Sequence, residues 1–292
     1  MILKEYRKHF NNQLSDVYPQ TEIDSFFFLL IEEFLEFQRI DVSLKPDFKI
    51  LEEKTTQLNF AVKRLQKEEP IQYILGKTEF YGLPFIVNEH VLIPRPETEE
   101  LVEWILSEVK KFQLDVISSE VEKSLNILDI GTGSGCIPIS LKKNLTKAEV
   151  NAIDISKEAI RVAKQNAKLN EVQITFLEHD ILILKDLGQQ FDVIVSNPPY
   201  VRDLEKHEIK NNVLENEPHL ALFVKDNNPL LFYDKIADLA KTHLKSNGML
   251  FFEINQYLGK ETVDLLKRKG FENIELKKDL FGNDRMILAA RS

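Results

Sequence analysis

Apolar positions in the first quarter of the chain recur at helical spacing. Phe27, Leu30, Ile31, Phe34 and Leu35 share one helix face, and Leu51, Leu58, Ala61, Val62 and Leu65 share another. Asp24-Ser25 or Thr21 are candidate caps for the earlier helix, and Pro46-Asp47 marks a break between helices. No glycine occurs before Gly76, so residues 1–69 predict a small helical bundle. At Pro70 the rhythm changes. The stretches 71–76 and 78–87 are short β-branched or aromatic runs separated by glycine, which predicts a hairpin in a linker over 70–92. Residues 97–109 then read as an amphipathic helix with Leu101, Val102 and Ile105 on one face, preceded by Pro94 and Pro96.

From residue 93 to 292 the pattern alternates. Apolar strands are expected at 125–130, 149–153, 173–177, 191–195 and 249–254, with helices between them, notably 157–169 and 230–245. Strands separated by helices predict an α/β domain, its parallel sheet covered on both faces. In such sheets ligands bind beyond the carboxyl ends of the strands.

Composition narrows the field. The chain has 292 residues, 43% of them hydrophobic, enough for one large domain or two ordinary ones. Its formal charge of −9 suits a small ligand or a protein partner better than bare nucleic acid. The single cysteine, Cys136, excludes an intramolecular disulfide. The first residues lack the apolar core of a secretory signal, and the run 26–31 is too short to span a bilayer. A cytoplasmic protein with no membrane association is expected.

The residues after each strand carry the chemistry. Asp129-Ile130-Gly131-Thr132-Gly133-Ser134-Gly135 follows the first strand. Its alternating glycines permit a tight turn on which a ligand can lie directly, and the next helix offers free N–H groups. The G-x-G-x-G spacing favours S-adenosyl-L-methionine over a dinucleotide. Asp154 ends the second strand at the offset where an acid accepts from ribose hydroxyls, the alternative being the N-cap or first-turn acid of the next helix, where Ser156 could serve equally. Asp180, after the third strand, is placed to meet an adenine amino group or to serve as a turn residue. The fourth strand ends in Asn197-Pro198-Pro199-Tyr200. An amide nitrogen is a poor nucleophile because its lone pair is delocalised. The Asn197 side-chain carbonyl and the Pro198 backbone carbonyl can accept both its hydrogens and aim the lone pair at a methyl donor, while the prolines hold the acceptors in place. The Tyr200 ring can lie against the planar substrate group. Cys136 and Trp104 read as core residues, the lysines at 241–245 and 277–278 as solvated faces. The six histidines show no metal-ligand spacing, so no metal is expected.

With these motifs the chain resembles the HemK/PrmC family of protein-(glutamine-N5) methyltransferases over nearly its whole length. The resemblance rests also on Pro70-Ile71-Gln72-Tyr73-Ile74-Leu75-Gly76, Phe80-Tyr81-Gly82, Leu92-Ile93-Pro94-Arg95-Pro96-Glu97-Thr98-Glu99, Glu217-Pro218, Ala221-Leu222-Phe223 and Asp284-Arg285. It implies a Rossmann-like class I S-adenosylmethionine-dependent methyltransferase domain, preceded by the helical bundle and hairpin linker. It implies that Gly131, Thr132, Gly133, Ser134, Gly135 and Asp154 bind the cofactor, with Asp180 and Ile181 beside the adenine. Asn197 would touch both cofactor and substrate, and Asn197 to Tyr200 would hold a glutamine. The partner implied is a class 1 peptide chain release factor, methylated in its Gly-Gly-Gln motif by a monomeric enzyme. The segment from Pro94 to Glu99 would frame the cofactor mouth, and residues 1–69 would grip the rest of the factor.

Three departures from the family pattern stand out. Ile181 replaces the usual aromatic beside adenine, residues 224–229 replace a glycine-rich stretch, and a polar insertion lies around 115–123. The rivals are a ribosomal-protein glutamine methyltransferase, which shares the motifs, and an adenine-N6 methyltransferase, which should carry a basic groove that is not visible. A non-catalytic binding protein would not need Asn197 to Tyr200 and the glycine loop intact.

Overall fold

A computed structural model describes residues 1–116 and 124–291. The polar insertion read around 115–123 therefore lies, from residue 117 on, outside the described residues. The chain forms two compact units: Met1–Gly76 with Lys210–Asn216, and Lys77–Ile209 with Glu217–Ser292.

The first unit contains α1 (Leu3–Leu14), α2 (Gln20–Leu35), α3 (Arg39–Leu44), α4 (Glu52–Leu65) and α5 (Ile71–Leu75). Its core gathers Leu3, Tyr6, Phe10 and Leu14 with Phe27, Leu30, Ile31, Leu58, Val62 and Leu65, at the spacing the sequence shows, except that Leu51 stands exposed at the N-cap of α4. The caps differ from expectation. Helix α2 starts after Pro19, held extended at φ −68°, with no side-chain cap, and Asp24 instead pairs with Arg7 at 2.9 Å. Residues 71–75 are a helical turn rather than a strand. Gly76, at φ +70°, ends it in a left-handed conformation that glycine adopts freely. Ile71, Ile74 and Leu75 pack on the bundle core, so tertiary packing overrides the β-propensity of the run.

The second unit opens with a hairpin, β1 (Lys77–Phe80) and β2 (Leu83–Ile86). Positive φ at both Tyr81 and Gly82 makes the two-residue turn that matches strand twist. There follow α6 (Pro96–Val116), β3 (Asn126–Ile130), α7 (Cys136–Asn144), β4 (Glu149–Asp154), α8 (Lys157–Leu169), β5 (Thr175–Glu178) and β6 (Phe191–Ser196). After them come the two-residue β7 (Val201–Arg202), a 3-10 turn (Asp203–Glu208), α9 (Asn211–Asn216, in the first unit), α10 (His219–Leu222) and β8 (Phe223–Val224). The chain ends with α11 (Leu231–His243), β9 (Leu244–Glu253), α12 (Gly259–Arg268), β10 (Glu272–Lys278) and β11 (Asp284–Ala290).

Seven strands form one sheet in the order β10-β11-β9-β6-β3-β4-β5. The five predicted strands are parallel, as expected. Strands β10 and β11 were not anticipated; both pairings at this edge are antiparallel, so β11 alone runs against the other six strands. Alternate residues of the central strands enter two cores. Leu128, Ile194, Leu250 and Phe252 meet α11 and α12 through Tyr233, Ile236 and Leu266. Ile127, Val193, Val195 and Phe251 meet α6 and α7 through Leu101, Ile105 and Ile139. Helices thus cover both faces, and Trp104 packs edge-to-face on Phe251 in the second core. Lys245, read as solvated, instead reaches Asp192 at 2.6 Å, a carboxylate that also accepts from the Asn126 N–H.

Candidate active site

The carboxyl ends of β3, β4, β5 and β6 open into one cleft. Its lining includes Gly131 to Ser134, Asp154, Asp180, Ile181 and Asn197 to Pro199, together with Arg95 and Thr98. All but two of the sequence-predicted site residues therefore meet in one place.

The first wall is the glycine loop. Gly131, Gly133 and Gly135 all have positive φ. Gly135 does not face the cleft; it is the N-cap of α7. A Cβ there would sit 3.0 Å from Ile139 Cδ1 and 3.1 Å from Ala163 Cβ, so it lets α7 and α8 approach closely. Asp154 has a role that sequence reasoning did not give it. Its two carboxylate oxygens accept from the Gly133 and Ser156 N–H groups, each at 2.8 Å, tying the loop to β4. Ser156, and not Asp154, caps α8 by accepting from the Ala159 N–H. Burial pushes the Asp154 carboxyl up, and those backbone N–H groups oppose the shift. Asp180 accepts from the Leu182 N–H at 2.8 Å, the geometry of a turn residue, while lining the cleft. Ile181 is buried against the α11–α12 core and also reaches the cleft. Burial pushes the Cys136 thiol up to about 12, so the thiol stays protonated and is no nucleophile.

Asn166 braces the loop from behind. This fully buried side chain on α8 accepts from the Ile86 N–H and donates to the carbonyls of Ile86 and Ser134. The hairpin is thereby locked to the glycine loop, and Asn170 adds a bond to the Pro84 carbonyl. Four hydrogen bonds gathered at one site fix a single arrangement.

The second wall is the end of β6. Ser196 donates to the Ile130 carbonyl at 2.7 Å, fastening this strand end to that of β3. The Asn197 Nδ2 donates to Thr98 Oγ1 at 3.3 Å. Tyr200 is not part of the cleft lining: its ring packs on the α11–α12 core and its hydroxyl donates to Glu253 at 3.0 Å. Burial and the Glu253 charge hold the phenol protonated. Glu253 also accepts from the Thr98 hydroxyl at 2.7 Å. Burial pushes the Glu253 carboxyl up, and those two hydrogen bonds together with the Arg285 charge oppose the shift. Arg285 itself is bonded to Asp279 at 3.1 Å. Arg95 pairs with the buried Glu217 at 2.6 Å, and Glu217 also accepts from the Ile93 N–H. Thr98, Glu253 and Glu217 were not singled out from sequence as site residues. Thr98 and Glu217 sit in motifs quoted for the resemblance; Glu253, an acid ending an apolar strand, was the available signal.

Comparison with known proteins places the chain in a family. A PrmC N-terminal domain matches residues 5–76, and a methyltransferase small domain matches residues 110–222. A release factor glutamine methyltransferase of Flavobacterium psychrophilum is 58% identical, covering 98% of this chain and 98% of its own. One of Bacteroides thetaiotaomicron is 42% identical, covering 97% and 98%. A solved methyltransferase structure from Pyrococcus furiosus, 16% identical, covers 83% of this chain and 100% of that one with a TM-score of 0.50, which bears on the fold alone. A helical first unit, a seven-stranded sheet and a cleft between a glycine loop and Asn197-Pro198-Pro199 go with these full-length identities: the chain belongs to the release factor glutamine methyltransferase family.

Proposed function

We propose that this protein methylates the N5 nitrogen of the glutamine in the Gly-Gly-Gln motif of class 1 peptide chain release factors, using S-adenosyl-L-methionine. The observation that carries the reading is the meeting, in one cleft, of the glycine loop with Asn197 and Pro198. When bound, the cofactor supplies a methyl group already activated on a sulfonium. Gly131, Thr132, Gly133 and Ser134 shape its bed, with Gly135 behind them letting α7 and α8 close on the loop; Asp154 accepts from the ribose hydroxyls, and Asp180 and Ile181 border the adenine. Each Asp154 oxygen has a lone pair beyond the one engaged by backbone, which supports the ribose role.

On the substrate side, the Asn197 Oδ1 and the Pro198 carbonyl accept the two amide hydrogens of the glutamine. That holds the nitrogen lone pair towards the donor. No strong base is needed, because the amide proton leaves once the nitrogen–carbon bond has formed. Tyr200 contributes by anchoring the motif through Glu253 rather than by stacking on substrate. Residues 1–69 recognise the body of the factor, and the enzyme works as a monomer without metal or nucleic acid. The test incubates the purified protein with S-adenosyl-L-methionine and a purified release factor, then maps methylation by peptide mass spectrometry. One methyl on the Gly-Gly-Gln glutamine, lost in Asn197→Ala, is expected. Transfer to a ribosomal protein or a nucleic acid instead would overturn the substrate.

A further inference from the structure

Asn197 has two chemically opposite ends, and only one suits an amide substrate. Its oxygen accepts a hydrogen bond; its nitrogen donates one. Behind it runs a short buried chain of groups. The Asn197 Nδ2 faces Thr98 Oγ1, and the Thr98 hydroxyl faces Glu253 Oε2 at 2.7 Å. The other oxygen of Glu253 takes the Tyr200 hydroxyl. Thr98 and Glu253 are 2% and 1% exposed, so no bulk water competes for these bonds. The sheet register places them together: Ser196 of β6 pairs with Phe252 of β9, so Asn197 and Glu253 are the next residues at the same sheet end.

The direction of this chain follows from donor counting. A carboxylate only accepts, and both neighbours of Glu253 are hydroxyls able to give it a hydrogen. The one hydroxyl hydrogen of Thr98 is spent on Glu253. What Thr98 then offers to Asn197 is a lone pair, against which only the amide nitrogen fits. The Asn197 oxygen is left for the cleft that Asn197 lines.

We propose that Glu253, acting through Thr98, is a positioning residue that sets the polarity of the Asn197 amide and so makes the site select a carboxamide over a carboxylate. This rests on the glutamine-methylating reading above. A glutamine offers two N–H groups to an acceptor pair. A glutamate at the same place would set its oxygens against the Asn197 oxygen and the Pro198 carbonyl. Turned over, Asn197 would present N–H groups and lose that discrimination.

Three variants test the chain. Thr98→Ser keeps the oxygen, Thr98→Val replaces it with a methyl of similar size, and Glu253→Met, of similar shape, removes the acceptor and so frees the Thr98 hydroxyl hydrogen for the Asn197 oxygen. Each is assayed for methylation kinetics on a release factor and for cofactor affinity by calorimetry. Inhibition by a release factor whose motif glutamine is replaced by glutamate is measured alongside. Thr98→Val should lose about 10- to 100-fold in kcat with cofactor affinity intact, and Thr98→Ser should recover most of it. In Glu253→Met the glutamate factor should gain at least about 10-fold as an inhibitor relative to the KM for the glutamine factor, a shift that a structural defect alone would not cause. Wild-type protein that leaves the glutamine unmethylated overturns the functional reading, and this inference with it. Wild-type activity with Thr98→Val as active as Thr98→Ser, or with the inhibition ratio unmoved in Glu253→Met, overturns this inference alone.

Discussion

The two walls of the cleft are built by different means. In the glycine-loop wall side chains bond backbone: Asp154 reaches Gly133 across 21 positions and Ser156 across two, and Asn166 braces the Ser134 carbonyl across 32. The Asn197 wall is made by side chains brought from far apart, since Thr98 and Glu253 are 155 positions distant. One wall depends on the absence of side chains, the other on the polarity of a few. Substitutions that add a methyl should damage the first wall, and substitutions that swap a donor for an acceptor should damage the second.

The largest effect is expected on the second wall. Asn197→Ala removes an acceptor held in place before substrate arrives, and kcat for glutamine methylation should fall by about 1,000-fold, the upper range for one preorganised polar group. Circular dichroism should be unchanged, because the side chain makes one long bond at 3.3 Å. A variant with less than tenfold loss would show that the Asn197 oxygen is not the acceptor. On the first wall, Gly135→Ala and Gly133→Ala form a matched pair. At Gly135 the added carbon meets Ile139 and Ala163 at 3.0 and 3.1 Å, with φ at +81°. Left-handed strain and overpacking together should cost about 2–4 kcal/mol of unfolding free energy. At Gly133, φ is +53° with nothing within 4 Å, so only the backbone cost of about 1–2 kcal/mol should remain. Urea unfolding reads both, and equal losses would remove the packing argument for Gly135.

The same division explains what the sequence disclosed. The glycine loop, Asp154 and Asn197-Pro198-Pro199 lie just after apolar strands and are recognisable locally. Helix α8 was legible to its bounds, because Ala159, Val162, Ala163 and Ala167 repeat at helical spacing and Ser156 supplies the cap. Residues 71–75 misled because a β-rich composition is overruled by packing on a bundle core that lies elsewhere in the chain. Strand β10 was hidden by its charges, with only Ile274 and Leu276 turned to the core. Strand β11 had a signal in the short apolar run from Met286 to Ala290, but its antiparallel direction breaks the alternation that located the others. Tyr200 was assigned to the substrate because a ring beside an amide site invites stacking. Its hydroxyl is held by Glu253, whose proximity only the sheet register reveals. Buried polar partners 53, 99 and 155 residues apart leave no periodic trace.

One side chain of the first wall, unlike Asp154 and Asn166, is left without a bond of its own. Asp129, fully buried on β3 just before the loop, has no hydrogen-bond partner on either carboxylate oxygen among the described residues. Burial pushes its carboxyl up to about 7; the nearby Thr132 hydroxyl opposes this, and the Asp154 charge adds to it. In the unfolded chain the group ionises near 3.8. Between those values the unfolded chain gives up a proton that the folded protein keeps. The stability from the protonated form is thus complete below pH 4 and is lost as pH rises through 7. Asp129→Asn has no such titration. The variant should therefore gain about 1–3 kcal/mol on the wild type between pH 5 and pH 8. Thermal unfolding at several pH values measures this gap, and a gap that stays flat would mean that Asp129 gains a partner in solution. A widening gap would show that the loop wall also holds one costly side chain, kept beside the bed proposed for the cofactor.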